Sequence, residues 1–421
     1  MIIKRMQLFK YVTILFLCLC TACKVNKTLS NLNVAPIYNP ENSVFNLQYS
    51  VAHIQNDSSR LSIYFNPEKL LYIKQNQDST IKYIGQFTLK YSLYKDLYTD
   101  AVIDSFSLKK IIFQDSKLDT LHFNIPCKLG ENYWMIIKLT DLKRSFDNVK
   151  MFPIYKKQNH QSNFFKINNS NILQNGFTVN NIQNTLIQHY NLKNTPVYVY
   201  PLYLHNQLPN PPFNSKNKNK DEYRLLNPQT FYLNDSGQFL MNLPYPAVFL
   251  KTDTNENNGT LVYQQNYEFP EYNSLNKLID PLVYLLKPDE FLTLKNSANI
   301  KAEFENFWLK NNQMDLERAR KAIKNYYDKI TQANILFTTY KDGWQTDKGM
   351  MFIVKGLPQS IRIYHDREIW YYGETSLSEP EVYVFRKTNW DIFPEHYILD
   401  KNFDHKYSWE KNVQLIKEGR L

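Results

Sequence analysis

Apolar side chains recur at every second position in several short runs between residues 43 and 155, and this alternation constrains the fold more than any other feature of the chain. Turn-forming residues such as Asn56, Asp57 and Ser58 separate the runs. A period of two places the apolar side chains on one face of a strand, so several such runs in succession favour a β-sandwich. The alternating residues are Phe45, Leu47, Tyr49 and Val51; Leu61, Ile63 and Phe65; Phe87, Leu89, Tyr91 and Leu93; Leu121, Phe123 and Ile125; and Tyr133, Met135, Ile137 and Leu139. We therefore predict a β-sandwich domain over residues 43–158.

A second β-rich domain is predicted over residues 159–270, where the alternation is more broken. The run from Thr195 to His205 contains Pro201, which predicts an edge strand or a strand split in two. The turn Asn234–Gly237 lies between two apolar runs and predicts a β-hairpin. By architecture alone both regions fit Ig-like sandwiches, which commonly serve as spacers or binding modules.

Helical periodicity begins only after residue 275. Between residues 315 and 337 the apolar positions recur at spacings of three and four, which is typical of one buried helix face. Trp409, Val413 and Ile416 predict a final helix in the same way. Residues 271–421 are therefore predicted to form a helical connector and an α+β domain.

Two short apolar runs are predicted to supply the sheet of this C-terminal domain. Met350–Val354 reads MMFIV and has the length and apolarity of a buried strand, and Glu368–Tyr372 follows as a second strand. Between them, Gly356, Leu357 and Pro358 predict a turn.

Glycine is concentrated in the same part of the chain. The segment 341–373 holds four of the ten glycines. Gly343 and Gly349 flank Trp344 and Asp347, which predicts a loop built around a large apolar anchor and one carboxylate.

Residues 343–347 read Gly-Trp-Gln-Thr-Asp, and the stretch resembles the GWxTD-domain family, lipoproteins of the Gram-negative envelope. The resemblance covers roughly the last 190 residues and implies an envelope lipoprotein with no settled biochemical activity. The strand and turn pattern also resembles, faintly, small lipoproteins that attach to the outer-membrane protein assembly machine. The motif and candidate binding residues are Gly343, Trp344, Thr346, Asp347, Gly349, Gly356, Pro358, Trp370 and Tyr371.

The beginning of the chain predicts a lipoprotein signal peptide over residues 1–22, with lipid attachment at Cys23. The apolar run 11–20 follows three cationic residues and is too short to span a bilayer, which needs roughly 20 residues. Thr21 and Ala22 supply the small residues that a lipoprotein signal needs before its cysteine.

Two alternatives remain for this segment: an ordinary cleaved signal, and lipidation at Cys20, which the bulky Leu19 disfavours. Residues 23–42 are predicted to be a tether. In bacteria that carry the GWxTD-domain family, acidic residues just after the lipidated cysteine mark export to the cell surface. Lys24 and Lys27 stand there instead, so the resemblance implies an outer-membrane protein that faces the periplasm.

Composition excludes some functions. The net charge of +10 falls to +7 when the three signal cations are removed (10 − 3), and no basic arm or cluster marks a nucleic-acid-binding module. Cys127 is the one thiol left beyond Cys23, so no internal disulfide is expected. The 31 tyrosines and 26 phenylalanines fit sheet faces, or else an adhesive partner-binding face.

The sequence contains residues that could take part in catalysis, but it contains no recognisable catalytic motif. No HExxH, GxSxG, Cys-His or P-loop spacing occurs, so we predict no catalytic residue, metal site or cofactor. Asp347 is expected to accept hydrogen bonds from its glycine-flanked turn or to cap the next element of the chain. The acidic and histidine residues in and after the motif are Asp347, His365, Asp366, Glu368, His396 and His405.

The function expected from the sequence is a non-enzymatic binding or scaffold subunit of an outer-membrane assembly, transport or secretion complex. Its partners would be the membrane, through the lipid, and another envelope protein. The alternatives are an envelope-acting hydrolase that uses Asp347 and a carbohydrate- or peptidoglycan-binding lipoprotein that uses exposed aromatic residues.

Overall fold

The computed structural model describes residues 28–39, 45, 47–77, 80–156, 164–168, 170–173, 176–205, 207–214, 222–242, 244–255, 259–265, 267–373, 379–388 and 396–421. The predicted signal peptide and Cys23 lie outside these residues. None of the helices in the described part has the length and apolarity needed to cross a membrane.

The first region consists of antiparallel sheets, as the alternation predicts. β1, β2 and β6 form one sheet, and β3, β4, β7 and β8 form another, with β5 paired to β4 on the side opposite β7. Ile63 of β2, Leu89 of β4 and Met135 of β7 are buried in one shared core. The strands are β1 Gln48–Ala52, β2 Ser59–Tyr64, β3 Ile73–Gln77, β4 Thr80–Tyr94, β5 Val102–Phe113, β6 Leu121–Ile125, β7 Asn132–Asp141 and β8 Phe146–Tyr155.

The second region is also β-rich, and its two sheets are joined by one core that includes Ile187, Val199 and Phe239. One sheet has the order β16-β12-β9, and the other has the order β10-β11-β18-β17-β13-β14 with β15 also on β13. Its strands are β9 Phe165–Ile167, β10 Ser170–Leu173, β11 Gly176–Val179, β12 Thr185–His189, β13 Pro196–His205, β14 Glu222–Leu225, β15 Gln229–Tyr232, β16 Gln238–Met241, β17 Ala247–Lys251 and β18 Thr260–Gln264.

Two local predictions in this region have different outcomes. β13 is one continuous strand, but its pairing divides at Pro201: the first half pairs with β17 on one side and β15 on the other, whereas Leu202–His205 pair, among the described strands, with β14 alone. The turn Asn234–Gly237 forms, but β15 and β16 do not pair with each other; β15 joins β13 and β16 joins β12. The turn therefore carries the chain from one sheet to the other, a choice made by the tertiary packing.

The C-terminal region combines helices with a four-stranded antiparallel sheet of order β19-β20-β21-β22. The long helix α4 begins where Asp315 accepts hydrogen bonds from the backbone N–H groups of Glu317 and Arg318, and its predicted apolar stripe is buried. The elements are α1 Leu275–Ile279, α2 Pro288–Lys295, α3 Ile300–Asn311, α4 Leu316–Phe337, α5 Asp347–Lys355, β19 Ser360–Ile363, β20 Arg367–Tyr372, β21 Glu381–Lys387, β22 Tyr397–Leu399 and α6 Lys406–Lys417.

The run Met350–Val354, predicted as a strand, is the body of helix α5. All five of its side chains are buried, and a segment that is apolar on every side has no period that distinguishes a helix from a strand. The local signals that decide are Thr346, whose hydroxyl caps the helix start, and Gly356, whose φ of +75° ends it. The rings of Phe337, Phe352 and Trp370 then bring α4, α5 and β20 together.

Part of the predicted tether is packed against the folded regions. Over residues 28–39, Leu29 and Val34 are buried in the C-terminal core. The N–H of Ser30 donates to the carbonyl oxygen of Leu97, and the N–H of Val34 donates to that of Ile361. This segment therefore contacts both the first β region and the C-terminal sheet.

Two buried histidines lie where the first β region meets the second. His53 Nε2 lies 3.0 Å from the carbonyl oxygen of Tyr155, so this nitrogen carries the hydrogen, and Nδ1 lies 2.8 Å from Ser59 Oγ. His189 Nδ1 accepts hydrogen bonds from the N–H groups of Asn191 and Leu192. Both imidazoles are neutral, and burial lowers the pKa of each to about 4.

We expect these histidines to make the protein less stable at pH 5 than at pH 7. The unfolded imidazoles gain protons below their ordinary pKa of 6.5, whereas the folded ones do so only near pH 4, so their stabilising contribution is full above 6.5 and is lost as the pH falls. The loss is about 2 kcal/mol per histidine at pH 5, from about 1.4 kcal/mol per pH unit. Urea unfolding at the two pH values measures it.

Single variants assign the effect to each histidine. His53→Gln and His189→Gln should each reduce the difference between the two pH values by about 2 kcal/mol. The exposed His122, replaced in the same way, should leave the difference unchanged. A pH difference that stays undiminished in the His53 and His189 variants would contradict the assignment.

Candidate functional site

The GWxTD motif lies between α4 and α5 and packs against the backbone of α4. Gly343 begins a 3₁₀ turn that runs to Gln345. A Cβ placed on Gly343 would lie 1.9 Å from the carbonyl oxygen of Ala333 in α4. A Cβ on Gly349 would lie 1.8 Å from the carbonyl oxygen of Gly343 itself. Both glycines are therefore required because neighbouring backbone occupies the space of a side chain.

Thr346 joins the motif turn to α5. Its Oγ1 accepts a hydrogen bond from the N–H of Gly349 at 3.0 Å and donates one to the carbonyl oxygen of Gly343 at 2.8 Å. This makes Thr346, rather than Asp347, the cap of the helix. Asp347 is the first residue of α5, where its negative charge also suits the helix dipole.

Trp344 is the centre of a buried hydrogen-bond network. Its Nε1 donates to the hydroxyl of Tyr272 at 3.0 Å, and that hydroxyl donates to a carboxylate oxygen of Asp342. The backbone N–H of Trp344 donates to Asn334 Oδ1 in α4, and its carbonyl accepts from the hydroxyl of Tyr284. Burial raises the pKa of Asp342. Trp344 is thus held both at the edge of its indole ring and at its backbone N–H and carbonyl groups.

Asp347 forms a buried ion pair with a residue that the sequence pattern does not single out. Lys401 Nζ lies 3.0 Å from Asp347 Oδ1, and the two side chains are 14% and 6% exposed. Lys401 also donates to the carbonyl oxygen of Asn210 at 2.7 Å, and Lys341 donates to that of Gln207. Two lysines therefore connect the motif to the segment 207–214, which comes after β13. Lys401 does so through Asp347, and Lys341 does so from its place two residues before Gly343.

A second buried pair lies on the other side of the α5 start. Lys348 Nζ lies 2.7 Å from Glu368 Oε1, and Glu368 also accepts hydrogen bonds from Trp370 Nε1 and from the hydroxyl of Tyr38. The ammonium group of Lys348 is 3.5 Å from the ring centroid of Tyr397. The carboxylate of Glu368 is thus committed to joining α5, β20 and the N-terminal segment.

The remaining motif residues lie farther along the same unit. Gly356 ends α5, and its carbonyl oxygen accepts a hydrogen bond from the hydroxyl of Tyr372. Pro358 is buried in the turn before β19. The ring of Tyr371 is half-buried under the guanidinium group of Arg362.

The structure does not gather the histidines and acidic residues into one centre. His365 and Asp366 lie in the exposed turn between β19 and β20. His396 faces Tyr340, and His405 stacks on Tyr383 with 4.0 Å between ring centroids. In the described part of the chain, no three of the His, Cys, Asp and Glu side chains are placed to hold a metal ion. Cys127 is buried, which raises the pKa of its thiol to about 12.

Trp344→Phe is expected to destabilise the protein by about 1–2 kcal/mol, because it removes the hydrogen bond to Tyr272 while keeping most of the ring. Trp308→Phe is the matched control. Trp308 is fully buried, and its Nε1 has no hydrogen-bond partner among the described residues. Urea unfolding should show the larger loss for Trp344, and equal losses would mean that the bond contributes nothing.

These contacts define an α+β unit built around a glycine-bracketed Trp-x-Thr-Asp turn and attached to β-rich regions. Residues 247–418 match the family model of the GWxTD domain, so this part of the chain is a GWxTD domain. The match begins at β17 and ends just after α6.

Curated proteins and solved structures give no further information about the family of this chain. No curated protein matches the chain. Among solved structures, the chain is similar to red sea bream transglutaminase at 9% identity, covering 52% of this chain and 31% of that one, with a TM-score of 0.17. It is similar to CBD12 from CALX1.2 at 13% identity, covering 59% and 90%, with a TM-score of 0.13. The chain thus spans under a third of the transglutaminase, and neither likeness carries an argument.

Proposed function

We propose that this is a lipid-anchored protein of the cell envelope, acylated at Cys23 and held on the periplasmic face of the outer membrane. Its role would be that of a non-enzymatic binding or scaffold subunit of an outer-membrane assembly, transport or secretion complex. The signal-like N-terminal sequence and the GWxTD domain support this proposal. We also propose Ig-like sandwiches for the β-rich regions, which would present the C-terminal domain.

The observation that carries the proposal is that the motif side chains are buried and make their contacts within the domain. Trp344, Thr346 and Asp347 are each at most 5% exposed. Each contacts a partner that holds the fold together: Tyr272 for the indole, Gly343 and Gly349 for the hydroxyl, and Lys401 for the carboxylate. A carboxylate that hydrolysed a substrate would need to reach it. This arrangement favours a motif that builds a binding module over the hydrolase alternative.

Strand β5 is the surface that we propose for the envelope partner. Among the described strands it pairs with β4 only, so one edge of its 12 residues carries no strand. Val102, Ile103, Phe106, Ile111 and Phe113 are each between 38% and 57% exposed.

A long apolar edge of this kind is a template for strand addition. We propose that an extended segment of an envelope protein adds to β5. Lys109 and Lys110 are exposed near one end of the strand, so an acidic residue of the partner segment would suit that end.

Co-purification tests the proposal. The natively lipidated chain is extracted from its own membranes in mild detergent after crosslinking, and mass spectrometry identifies its companions. We expect a stoichiometric outer-membrane protein or lipoprotein that is lost with Cys23→Ala and with the double variant Ile111→Glu/Phe113→Glu. Leu240→Glu, a similar change to glutamate at an exposed strand residue of another sheet, should retain it.

The outcomes separate the parts of the proposal. Recovery of the protein alone at full yield, with crosslinking also blank, would overturn the subunit role. A partner retained by the β5 double variant would leave the subunit role standing and overturn β5 as its surface. Turnover of envelope material that Asp347→Asn abolishes without a loss of thermal stability would establish the hydrolase instead.

A further inference from the structure

Apolar and polar contacts hold the N-terminal segment 28–39 on the folded regions. Leu29 and Val34 are 1% and 4% exposed within the C-terminal core. Asn33 Oδ1 accepts a hydrogen bond from the N–H of Ile361 at 3.0 Å, and the N–H of Val34 donates to the carbonyl oxygen of Ile361 at the same distance. The segment is therefore part of the folded structure and not a free tether.

This segment begins beside the loop 95–101, which joins β4 to β5. The N–H of Ser30 donates to the carbonyl oxygen of Leu97 at 2.9 Å, and Thr28 Oγ1 lies 3.0 Å from Ser30 Oγ. Leu97 is itself fully buried in the C-terminal core. The chain that leads back to Cys23 therefore leaves the folded regions at this loop.

The reach of the proposed lipid anchor is short. Cys23 is five residues before Thr28. Five residues span at most about 18 Å, whatever their conformation. If the segment 28–39 were free, the next buried residue that the structure describes would be Phe45, and the 22 residues from Cys23 could span about 75 Å. The docked segment therefore keeps the loop 95–101 close to the bilayer.

Tyr98 is the exposed aromatic side chain of this loop. Its ring is 50% exposed and packs edge-on against His365, with 4.9 Å between ring centroids. Asp96 Oδ1 accepts a hydrogen bond from the N–H of Tyr98 at 2.9 Å and lies 3.1 Å from His365 Nε2. These contacts fix both the backbone and the ring of Tyr98. A tyrosine ring suits the headgroup level of a membrane, where its apolar face and its polar hydroxyl are both accommodated.

The charges of the loop do not select an anionic surface. Lys95 forms an ion pair with Glu131, Asp96 faces His365, and Asp100 is exposed. Attraction to anionic lipid requires an excess of Lys or Arg, which this loop lacks. The position of the anchor and the ring of Tyr98 are therefore what favour contact with a membrane.

We infer that the loop 95–101 is the surface that contacts the phospholipid bilayer, with Tyr98 at the headgroup level. The inference rests on the proposed lipid anchor at Cys23. The other end of β5, where Ile111 and Phe113 lie, is roughly 30 Å along the strand from this loop, so one molecule can contact both the membrane and a partner.

Depth-dependent fluorescence quenching tests this orientation. The natively lipidated full chain with Ala101→Cys is labelled with a nitrobenzoxadiazole fluorophore and placed in vesicles of phosphatidylethanolamine and phosphatidylglycerol that contain doxyl-labelled lipid. Cys127 is fully buried and should not take the label. We expect quenching at residue 101 to be at least about twofold stronger than for Tyr232→Cys, at a tyrosine that is 70% exposed in β15. Vesicles of phosphatidylcholine should give the same ratio.

Two further changes test what holds the loop at the membrane. Inserting about 20 Gly and Ser residues between Val25 and Asn26 lengthens the reach without altering the described part of the chain. Tyr98→Ser removes the exposed ring. Each change should reduce the quenching at residue 101 towards that of the Tyr232→Cys control.

The outcomes separate the anchor from the orientation. Mass analysis of the same preparation shows whether Cys23 carries lipid, and a chain without lipid would overturn both the proposed anchor and this inference. A lipidated chain whose label at residue 101 is quenched no more than the control would overturn the orientation and leave the anchor standing. Quenching that neither the insertion nor Tyr98→Ser reduces would also overturn the inference.

Discussion

Gly343→Ala is expected to destabilise the GWxTD domain by more than about 4 kcal/mol, a loss large enough to leave much of it unfolded. The new methyl group would lie 1.9 Å from the carbonyl oxygen of Ala333, which is backbone in a long helix and cannot move aside. Separating the turn from α4 would also break the hydrogen bond from the N–H of Trp344 to Asn334. Urea unfolding followed by tryptophan fluorescence measures the loss.

Gly373→Ala is the matched control. Gly373 has a φ of +72°, and a Cβ there would meet nothing within 4 Å. The substitution should therefore cost only the strain of the left-handed backbone, about 1–2 kcal/mol. If Gly343→Ala cost no more than this control, the close approach to α4 would not be what requires glycine in the motif.

Asp347→Ala is expected to destabilise the domain by about 3–5 kcal/mol, because it leaves the ammonium group of Lys401 buried without its carboxylate. Lys401→Met should cost a similar amount, since it strands Asp347 and the carbonyl oxygen of Asn210. The double variant should cost clearly less than the sum of the two, because neither charge then remains alone. Chemical unfolding of the parent chain, the two single variants and the double variant completes this double-mutant cycle.

The exposed pair of Lys324 and Asp328 on α4 is the comparison for this cycle. Its side chains are 72% and 52% exposed, so Asp328→Ala should cost about 0.5 kcal/mol or less. Additive losses at Asp347 and Lys401 would contradict the ion-pair account. The same proteins also test the hydrolase alternative, since a structural Asp347 predicts a loss of stability, whereas a catalytic one predicts a loss of turnover with stability retained.

The motif is best understood as a packing unit. Its glycines admit neighbouring backbone, its tryptophan fills the space beside α4, its threonine starts α5, and its aspartate is neutralised by Lys401. Each residue type is required for a different physical reason. The binding surfaces can therefore lie elsewhere on the molecule, as we propose for β5.

Much of the architecture can be predicted from local patterns. The alternating runs became strands because a half-buried strand needs one apolar face, and β7 alternates buried and half-exposed residues along its whole length. The apolar residues of α4 recur with the helical period of about 3.6 residues, so they lie on one face of the helix, and that face is buried. Strand β5 was missed because its apolar side chains lie on both faces and most of them are exposed.

Other features depend on contacts between distant residues. Met350–Val354 is apolar on every side, so the capping residues and the packing of α5 against α4 decided its conformation. The turn at Asn234 was predicted correctly, yet its two strands belong to different sheets. Local turn chemistry specifies a reversal of the chain but not the partner of each strand.

The sequence by itself determined the β-rich beginning, the α+β end and the position of the motif, because side-chain periodicity and turn residues act over a few neighbours. Only the tertiary structure showed that Asp347 pairs with Lys401, 54 residues away, and that Ser30 of the N-terminal segment donates to Leu97. Such partners are chosen by how the sheets and helices stack. No local pattern records that choice, because the energy of a buried pair depends on which groups the folded chain brings together.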